Sequence, residues 1–129
     1  MITKLWLALK KWALALMVLY VIGLTMGSLM HLGGIPSLGF SFDDKIYHFF
    51  AYFLFTILVY NYFKVIQIKR VILLSALAVI CYGIILEVLQ TVLTSYRTFD
   101  VYDALANALG VSCASIVLHI RTNRKLNLN

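Results

Sequence analysis

Ionisable side chains recur at helical spacing in two segments of an otherwise apolar chain. In the first segment, Asp44, His48 and Tyr52 follow one another four residues apart, and Lys45 lies three residues before His48. Side chains three and four residues apart share one face of an α-helix. A carboxylate, an imidazole and an ammonium on one face could act as acid, base and charge stabiliser, or bind a polar ligand. Helix capping would explain Asp43 and Asp44 equally well, but it does not explain His48, one turn further in.

The second segment runs from residue 87 to residue 107. Glu87 precedes the end of its apolar stretch by enough residues to lie roughly 8 Å below the membrane surface, at about 1.5 Å per residue. A lone carboxylate at that depth costs at least about 2 to 3 kcal/mol, so Glu87 should face other helices and be paired or protonated. Asp103 and Asn107 share the next helical face. Asp100 fits a helix cap, and Arg97 either clamps a carboxylate or binds a ligand.

The composition places these residues in a membrane protein. Of the 129 residues, 63% are hydrophobic and 12% are charged, and the mean hydropathy is +0.94, which excludes a soluble globular domain. Four apolar stretches are each about as long as a membrane-spanning helix, which needs about 20 residues. They cover residues 12–30, 46–63, 71–92 and 101–120. The sequence therefore predicts one all-α domain over residues 1–129, a four-helix transmembrane bundle.

The charges are distributed unequally across this predicted bundle. Every Lys and Arg except Lys45 and Arg97 falls on the side of the termini, whereas all five acidic residues fall on the other side. Positive charge marks the cytoplasmic side of membrane helices, so both termini are predicted to be cytoplasmic and both polar segments to face outward. The net charge of +6 and the pI of about 9.5 then report topology and attraction to anionic lipid. No nucleic-acid-binding pattern accompanies them.

Five other residues and the first apolar stretch have simpler interpretations. Gly23 and Gly27 form a small-xxx-small pair that would let another helix approach closely, or they are ordinary glycines of a membrane helix. Cys81 and Cys113 lack the spacing of a metal or redox motif and are interpreted as packing residues. His119 lies beside the basic C-terminal segment, outside the predicted site. The first apolar stretch is interpreted as an uncleaved helix rather than a signal peptide.

The two segments also carry a family resemblance. The stretches DKIYHFFAY and EVLQTVLTSYRTFDVYDALANALG resemble the VanZ-like family, small polytopic bacterial membrane proteins named after an accessory factor in teicoplanin resistance. The residues that match the family pattern are Asp44, Lys45, His48, Tyr52, Glu87, Gln90, Arg97, Asp100, Asp103, Asn107 and Gly110. Ala114 departs from it, because a second glycine is common there. The resemblance implies a cell-envelope role in the bacterial inner membrane, without a defined reaction.

Together the residues and the resemblance predict an outward-facing polar pocket. His48, Glu87 and Asp103 are the candidate catalytic residues, and the candidate ligand-binding residues are Asp44, Lys45, Tyr52, Gln90, Arg97, Asp100 and Asn107. The expected partner is a membrane lipid, a lipid-linked envelope precursor or a glycopeptide-related target. An enzyme acting on a lipid-linked phosphate and a proton- or ion-coupled transporter remain alternatives. Hard oxygen ligands with one imidazole suit Mg²⁺, Mn²⁺ or Ca²⁺, but no metal motif is present, so no metal is assigned and the cofactor stays open.

Overall fold

Four long helices make up the computed structural model, which describes residues 2–30, 39, 42–95 and 98–127. They are α1 (Ile2–Leu29), α2 (Asp43–Val65), α3 (Val71–Leu93) and α4 (Val101–Asn127). Each is long and apolar enough to cross a membrane, which confirms the predicted all-α, multi-pass architecture. Successive helices alternate in direction. We call the end at which α2 and α4 begin the acidic end, and the end at which they finish the basic end.

Two helices extend well beyond the apolar stretches from which they were predicted. Helix α1 begins at Ile2 rather than near residue 12, and α4 continues to Asn127 rather than ending near residue 120. Helix α1 has 28 residues and is therefore about 42 Å long, more than the roughly 30 Å hydrocarbon core of a bilayer. The additional turns carry lysine and arginine. Hydropathy marks the part of a helix inside the membrane, and hydrogen bonding continues beyond it.

Local sequence explains where the helices begin. Asp43 and Asp44 occupy the first turn of α2, where carboxylates complement the positive end of the helix dipole. The residue before α2 is Phe42, which makes no side-chain cap. Asp100 does cap α4, because its Oδ1 accepts a hydrogen bond of 2.8 Å from the backbone N–H of Tyr102.

Helix α2 packs against each of the other three helices, and its contact with α4 is the most extensive. The core consists of buried side chains from α2, α3 and α4, namely Tyr52, Phe55, Val59, Val79 and Val111. Gly110 permits the close approach of α4, because a Cβ built there would lie 2.3 Å from the carbonyl oxygen of Phe49. Ala114, where the family often has glycine, is fully buried, so the methyl group fits in this interface.

Helix α1 lies against α2 and α3 through apolar packing on the core and through a few polar contacts. The Tyr20 hydroxyl donates a hydrogen bond of 2.7 Å to the carbonyl of Ala51, and the hydroxyls of Thr25 and Tyr82 are 2.6 Å apart. The predicted close approach at Gly23 and Gly27 does not occur within the described part of the chain, because a Cβ added at either residue would meet no atom within 4 Å. These glycines border open space instead.

Candidate functional site

Lys45 is the centre of a polar cluster at the acidic end, formed by the first turns of α2 and α4. Its Nζ donates a hydrogen bond of 2.6 Å to Asp100 Oδ2 and a second to Asp103 Oδ1, and it lies 3.8 Å from Asp44 Oδ2. The α2–α4 contact brings these groups together from positions more than 50 residues apart in sequence. A Lys45 ammonium surrounded by carboxylates joins the two helices and is not free to bind a phosphate.

His48 lies one turn below Lys45 and faces the same carboxylates. Its Nδ1 donates a hydrogen bond of 2.9 Å to Asn107 Oδ1. Its Nε2 lies 3.9 Å from Asp44 Oδ1 and 3.6 Å from Asp103 Oδ2, distances too long for hydrogen bonds. We refer to Asp44, Lys45, His48, Asp100, Asp103 and Asn107 as the polar cluster. Asn107 fixes the ring so that Nε2 is directed towards two carboxylates, an arrangement suited to proton exchange or cation binding.

Three of these residues could together hold a metal ion. Asp44, His48 and Asp103 each supply one ligand atom, and these atoms all lie within 4.8 Å of one another. Two carboxylates and one imidazole suit Mn²⁺ or a similar divalent cation. The remaining oxygens of both carboxylates are directed towards Lys45, which would orient them. This geometry alone assigns no metal.

Among the described residues, three carboxylates lie close to one ammonium. Lys45 hydrogen-bonds to Asp100 and Asp103 and lies 3.8 Å from Asp44. The hydrogen bond from Lys45 lowers the pKa of the Asp100 carboxyl, and the cap to Tyr102 lowers it further. The Asp100 carboxylate therefore stays ionised to a lower pH than a free aspartate.

A second polar layer lies deeper in the bundle. Glu87 is only 3% exposed, as expected for a carboxylate inside a membrane. Gly83, one turn before Glu87, lets the Tyr52 ring pack against α3, because a Cβ there would lie 2.8 Å from Tyr52 Cε1. Gln90 is also buried, and its Nε2 donates a hydrogen bond of 2.9 Å to the Ser28 carbonyl of α1.

A cavity of about 170 Å³ separates α1 from α2 beside these residues. Asp44, His48 and Tyr52 line its α2 side, and Gly23 and Gly27 line its α1 side. The absence of side chains at the two glycines leaves this space open. The cavity thus opens at the surface between α1 and α2 and extends to the part of the polar cluster where His48 lies.

The remaining residues singled out from the sequence are either outside the described chain or away from this site. Arg97 falls outside the described residues, so its role stays a prediction. Cys81 is exposed on α3, and His119, which was expected outside the site, is exposed near the basic end with its Nε2 3.0 Å from Asn123 Nδ2.

A family model described as VanZ/LLP1 matches residues 11–122, most of the chain and all four helices. The chain belongs to the VanZ/LLP1 family. It is also similar to the uncharacterized protein C11E3.10 of Schizosaccharomyces pombe, with 37% identity over 101 residues. That match covers 76% of this chain and 62% of the yeast protein, so the chain spans about three fifths of its relative's length. No solved structure matches.

The VanZ/LLP1 motif residues did not reveal every feature of the site. The sequence grouped Lys45 and Asp100 only as residues of one outer pocket, and their direct pairing depends on the register of α2 against α4. The cavity was not predicted from the sequence, although Gly23 and Gly27, one turn apart on α1, indicated a helix face without side chains.

The side-chain amide of Asn107 is also only partly satisfied, because its buried Nδ2 finds no hydrogen-bond partner within the described chain.

Proposed function

We propose that this VanZ/LLP1 protein recognises the headgroup of a membrane lipid or a lipid-linked envelope precursor at the acidic end of its bundle. We further propose that it resides in the bacterial inner membrane, with both termini cytoplasmic and the polar cluster outward. The distribution of Lys and Arg supports this orientation. A role in teicoplanin resistance through this envelope interaction is part of the same proposal.

The cavity between α1 and α2 is the observation that carries the proposal. It lies between two membrane-spanning helices, it is lined by apolar as well as polar groups, and Asp44 and His48 line it. A lipid headgroup can enter such a space from the side while its acyl chains stay against the apolar helix surface. Ligand sites commonly combine mostly apolar walls with a few placed polar groups.

The charge of the polar cluster restricts the ligand. Lys45, the cation among the described cluster residues, already donates to Asp100 and Asp103, which favours a headgroup that carries an ammonium group over a bare phosphate. A relative in fission yeast favours a ligand shared by bacterial and fungal membranes over a target restricted to bacterial cell walls. Within the proposed ligands, both points favour a membrane lipid over a lipid-linked cell-wall precursor or a glycopeptide-related target.

Filling the cavity tests this function. Gly27→Leu should place a side chain in open space without a clash, because no atom lies within 4 Å of an added Cβ. The matched control is Ala78→Leu on the exposed face of α3. Mass spectrometry of lipids that copurify with each protein should show a headgroup class enriched with the wild type and with Ala78→Leu, and lost with Gly27→Leu. Identical lipid profiles for all three proteins would refute the proposal.

An enzyme acting on a lipid-linked phosphate is the second candidate. The supporting observation is His48, whose Nδ1 is fixed by Asn107 and whose Nε2 lies 3.6 Å from Asp103. A general base of this kind contributes about 10²- to 10⁴-fold to a rate. Release of phosphate from a polyprenyl pyrophosphate by the reconstituted protein, lost in His48→Gln, would favour this candidate. Binding without turnover would favour recognition alone.

A further inference from the structure

A second cavity lies at the basic end, on the opposite side of the molecule from the polar cluster. It measures about 250 Å³ and lies between the last turns of α2 and α4. The residues that line it are Tyr60, Asn61, Lys64, Arg121, Thr122, Lys125 and Leu126. Drug-sized ligands occupy cavities of about 300 to 1,000 Å³, so this volume suits a smaller group.

The lining of this cavity is strongly cationic. Lys64, Arg121 and Lys125 contribute three positive charges, and no carboxylate is among the described lining residues. Among the ion pairs between described residues, none includes Lys64, Arg121 or Lys125. The described residues therefore leave these three cations without neutralising partners, which makes an anion the complementary ligand.

Complementing the helix dipoles explains only part of this arrangement. Cations in the last turn of a helix stabilise its negative end, which accounts for Lys64 and Lys125. Arg121 precedes the last turn of α4, so the dipole does not explain it. The carbonyl ends of α2 and α4 would repel an anion, so any anion here must be held by side chains.

The cavity wall also provides hydrogen-bonding groups at fixed positions. The Thr122 hydroxyl donates to the Leu118 carbonyl at 2.8 Å, and the Tyr60 hydroxyl is 3.5 Å from Thr122 Oγ1. The Lys64 Nζ lies 5.6 Å from the centre of the Tyr60 ring, a cation–π distance that keeps the ammonium near the wall. Arginine and lysine are the donors that bind phosphate oxygens.

We infer that this basic cavity binds a phosphate group, which an anionic phospholipid of the adjacent leaflet or free phosphate would provide. A phospholipid is favoured by the exposed apolar side chains that precede Arg121 along α4, such as Ile116, Val117 and Ile120, along which acyl chains can lie. Basic pockets between membrane helices bind anionic headgroups in this way. The site is separate from the proposed headgroup site at the acidic end.

Native mass spectrometry of the full-length protein in neutral detergent tests this inference. Dioleoyl phosphatidylglycerol, dioleoyl phosphatidylcholine and inorganic phosphate are added separately. The wild type should bind phosphatidylglycerol at least about tenfold more tightly than phosphatidylcholine, and the combined variant Lys64→Gln, Arg121→Gln, Lys125→Gln should lose this preference. Displacement of the lipid by millimolar inorganic phosphate would support the phosphate site and identify free phosphate as its ligand.

The matched control removes the same charge at the same end of the bundle. Lys4→Gln, Lys10→Gln, Lys11→Gln alters three cations of α1 that do not line the cavity and should leave the preference unchanged. If both triple variants lost the preference for phosphatidylglycerol equally, the attraction would belong to the whole basic surface and the inference would be overturned. A wild type that binds both lipids equally well would overturn it as well. If circular dichroism shows that the first triple variant is unfolded, the single variant Arg121→Gln decides, with about a fivefold loss expected.

Discussion

Among the single residues of the polar cluster, Lys45 is the one that holds the others together. It joins the carboxylates of Asp44, Asp100 and Asp103, and the Asp103 side chain is only 6% exposed. Removing the ammonium leaves a buried carboxylate without its cation, which is more costly than the intact pair is stabilising. The cluster therefore has a structural role in addition to any binding role.

Lys45→Gln should lower the free energy of unfolding by about 1 to 3 kcal/mol, less than the 3 to 5 kcal/mol of a fully buried pair, because Lys45 and Asp100 are partly exposed. The measurement is denaturant unfolding in detergent, followed by circular dichroism. Lys69→Gln, in the exposed α2–α3 connection, is the control and should change stability by less than about 0.5 kcal/mol. Equal effects of the two variants would contradict the role given to Lys45.

Asp100 predicts a pH dependence whose sign follows from its hydrogen bonds. The Lys45 ammonium lowers the pKa of this carboxyl in the folded protein below its ordinary value of 3.8. The unfolded state therefore binds a proton first, so the contribution of Asp100 is fully present above that value and is lost as the pH falls through the lower folded pKa. Stability should decrease in this acid range.

Asp100→Asn is the variant that isolates this effect, because asparagine can still cap α4 but cannot ionise. The free energy of unfolding of the variant should fall less steeply than that of the wild type between about pH 5 and pH 2, the range in which an aspartate with a lowered pKa takes up its proton. Denaturant titrations at a series of pH values provide the measurement. Parallel curves for the two proteins would show that Asp100 does not carry the dependence.

Glycines distinguish the helix contacts at the scale of elements. Gly110 brings α4 onto the backbone of α2, whereas Gly23 and Gly27 leave an open cavity beside α1.

Gly110→Ala should reduce stability by about 1 to 3 kcal/mol, because the added methyl group would meet the backbone at Phe49, which cannot move aside as a side chain can. Gly23→Ala should leave stability unchanged or raise it by up to about 1 kcal/mol through helix propensity. Thermal unfolding of both variants measures the difference, and a harmful Gly23→Ala with a neutral Gly110→Ala would reverse the assignment.

The same glycines show which parts of the fold are readable from sequence. Hydropathy and charge are local, so the four helices and the grouping of acids at one end could be predicted. The burial of Glu87 followed from the cost of a carboxylate in lipid. The sequence drew attention to the Gly23 and Gly27 pair, yet the close helix contact is at Gly110. Which helix faces which is decided by packing between distant residues, and spacing within one helix does not report it.

Charge separation is the main property of the whole molecule. The carboxylates of the polar cluster lie at one end, and the cations of the second cavity lie at the other.

Thiol labelling tests the membrane orientation proposed from this charge distribution. In a background with Cys81→Ala and Cys113→Ala, Thr98→Cys should react with an impermeant thiol reagent added to intact cells. Lys69→Cys should react only after the membrane is opened, because positive loops remain cytoplasmic. Labelling with the two sides exchanged would invert the proposed orientation.

Photo-cross-linking from the cavity between α1 and α2 tests the central claim most directly. A benzophenone amino acid is placed at Tyr47, which lines the cavity, and in a matched protein at Phe50, which is exposed on α2. After irradiation in native membranes, mass spectrometry identifies the attached lipids. The account predicts one headgroup class enriched over the bulk membrane at Tyr47 and bulk composition at Phe50. Bulk composition at both positions would contradict a headgroup site beside the polar cluster.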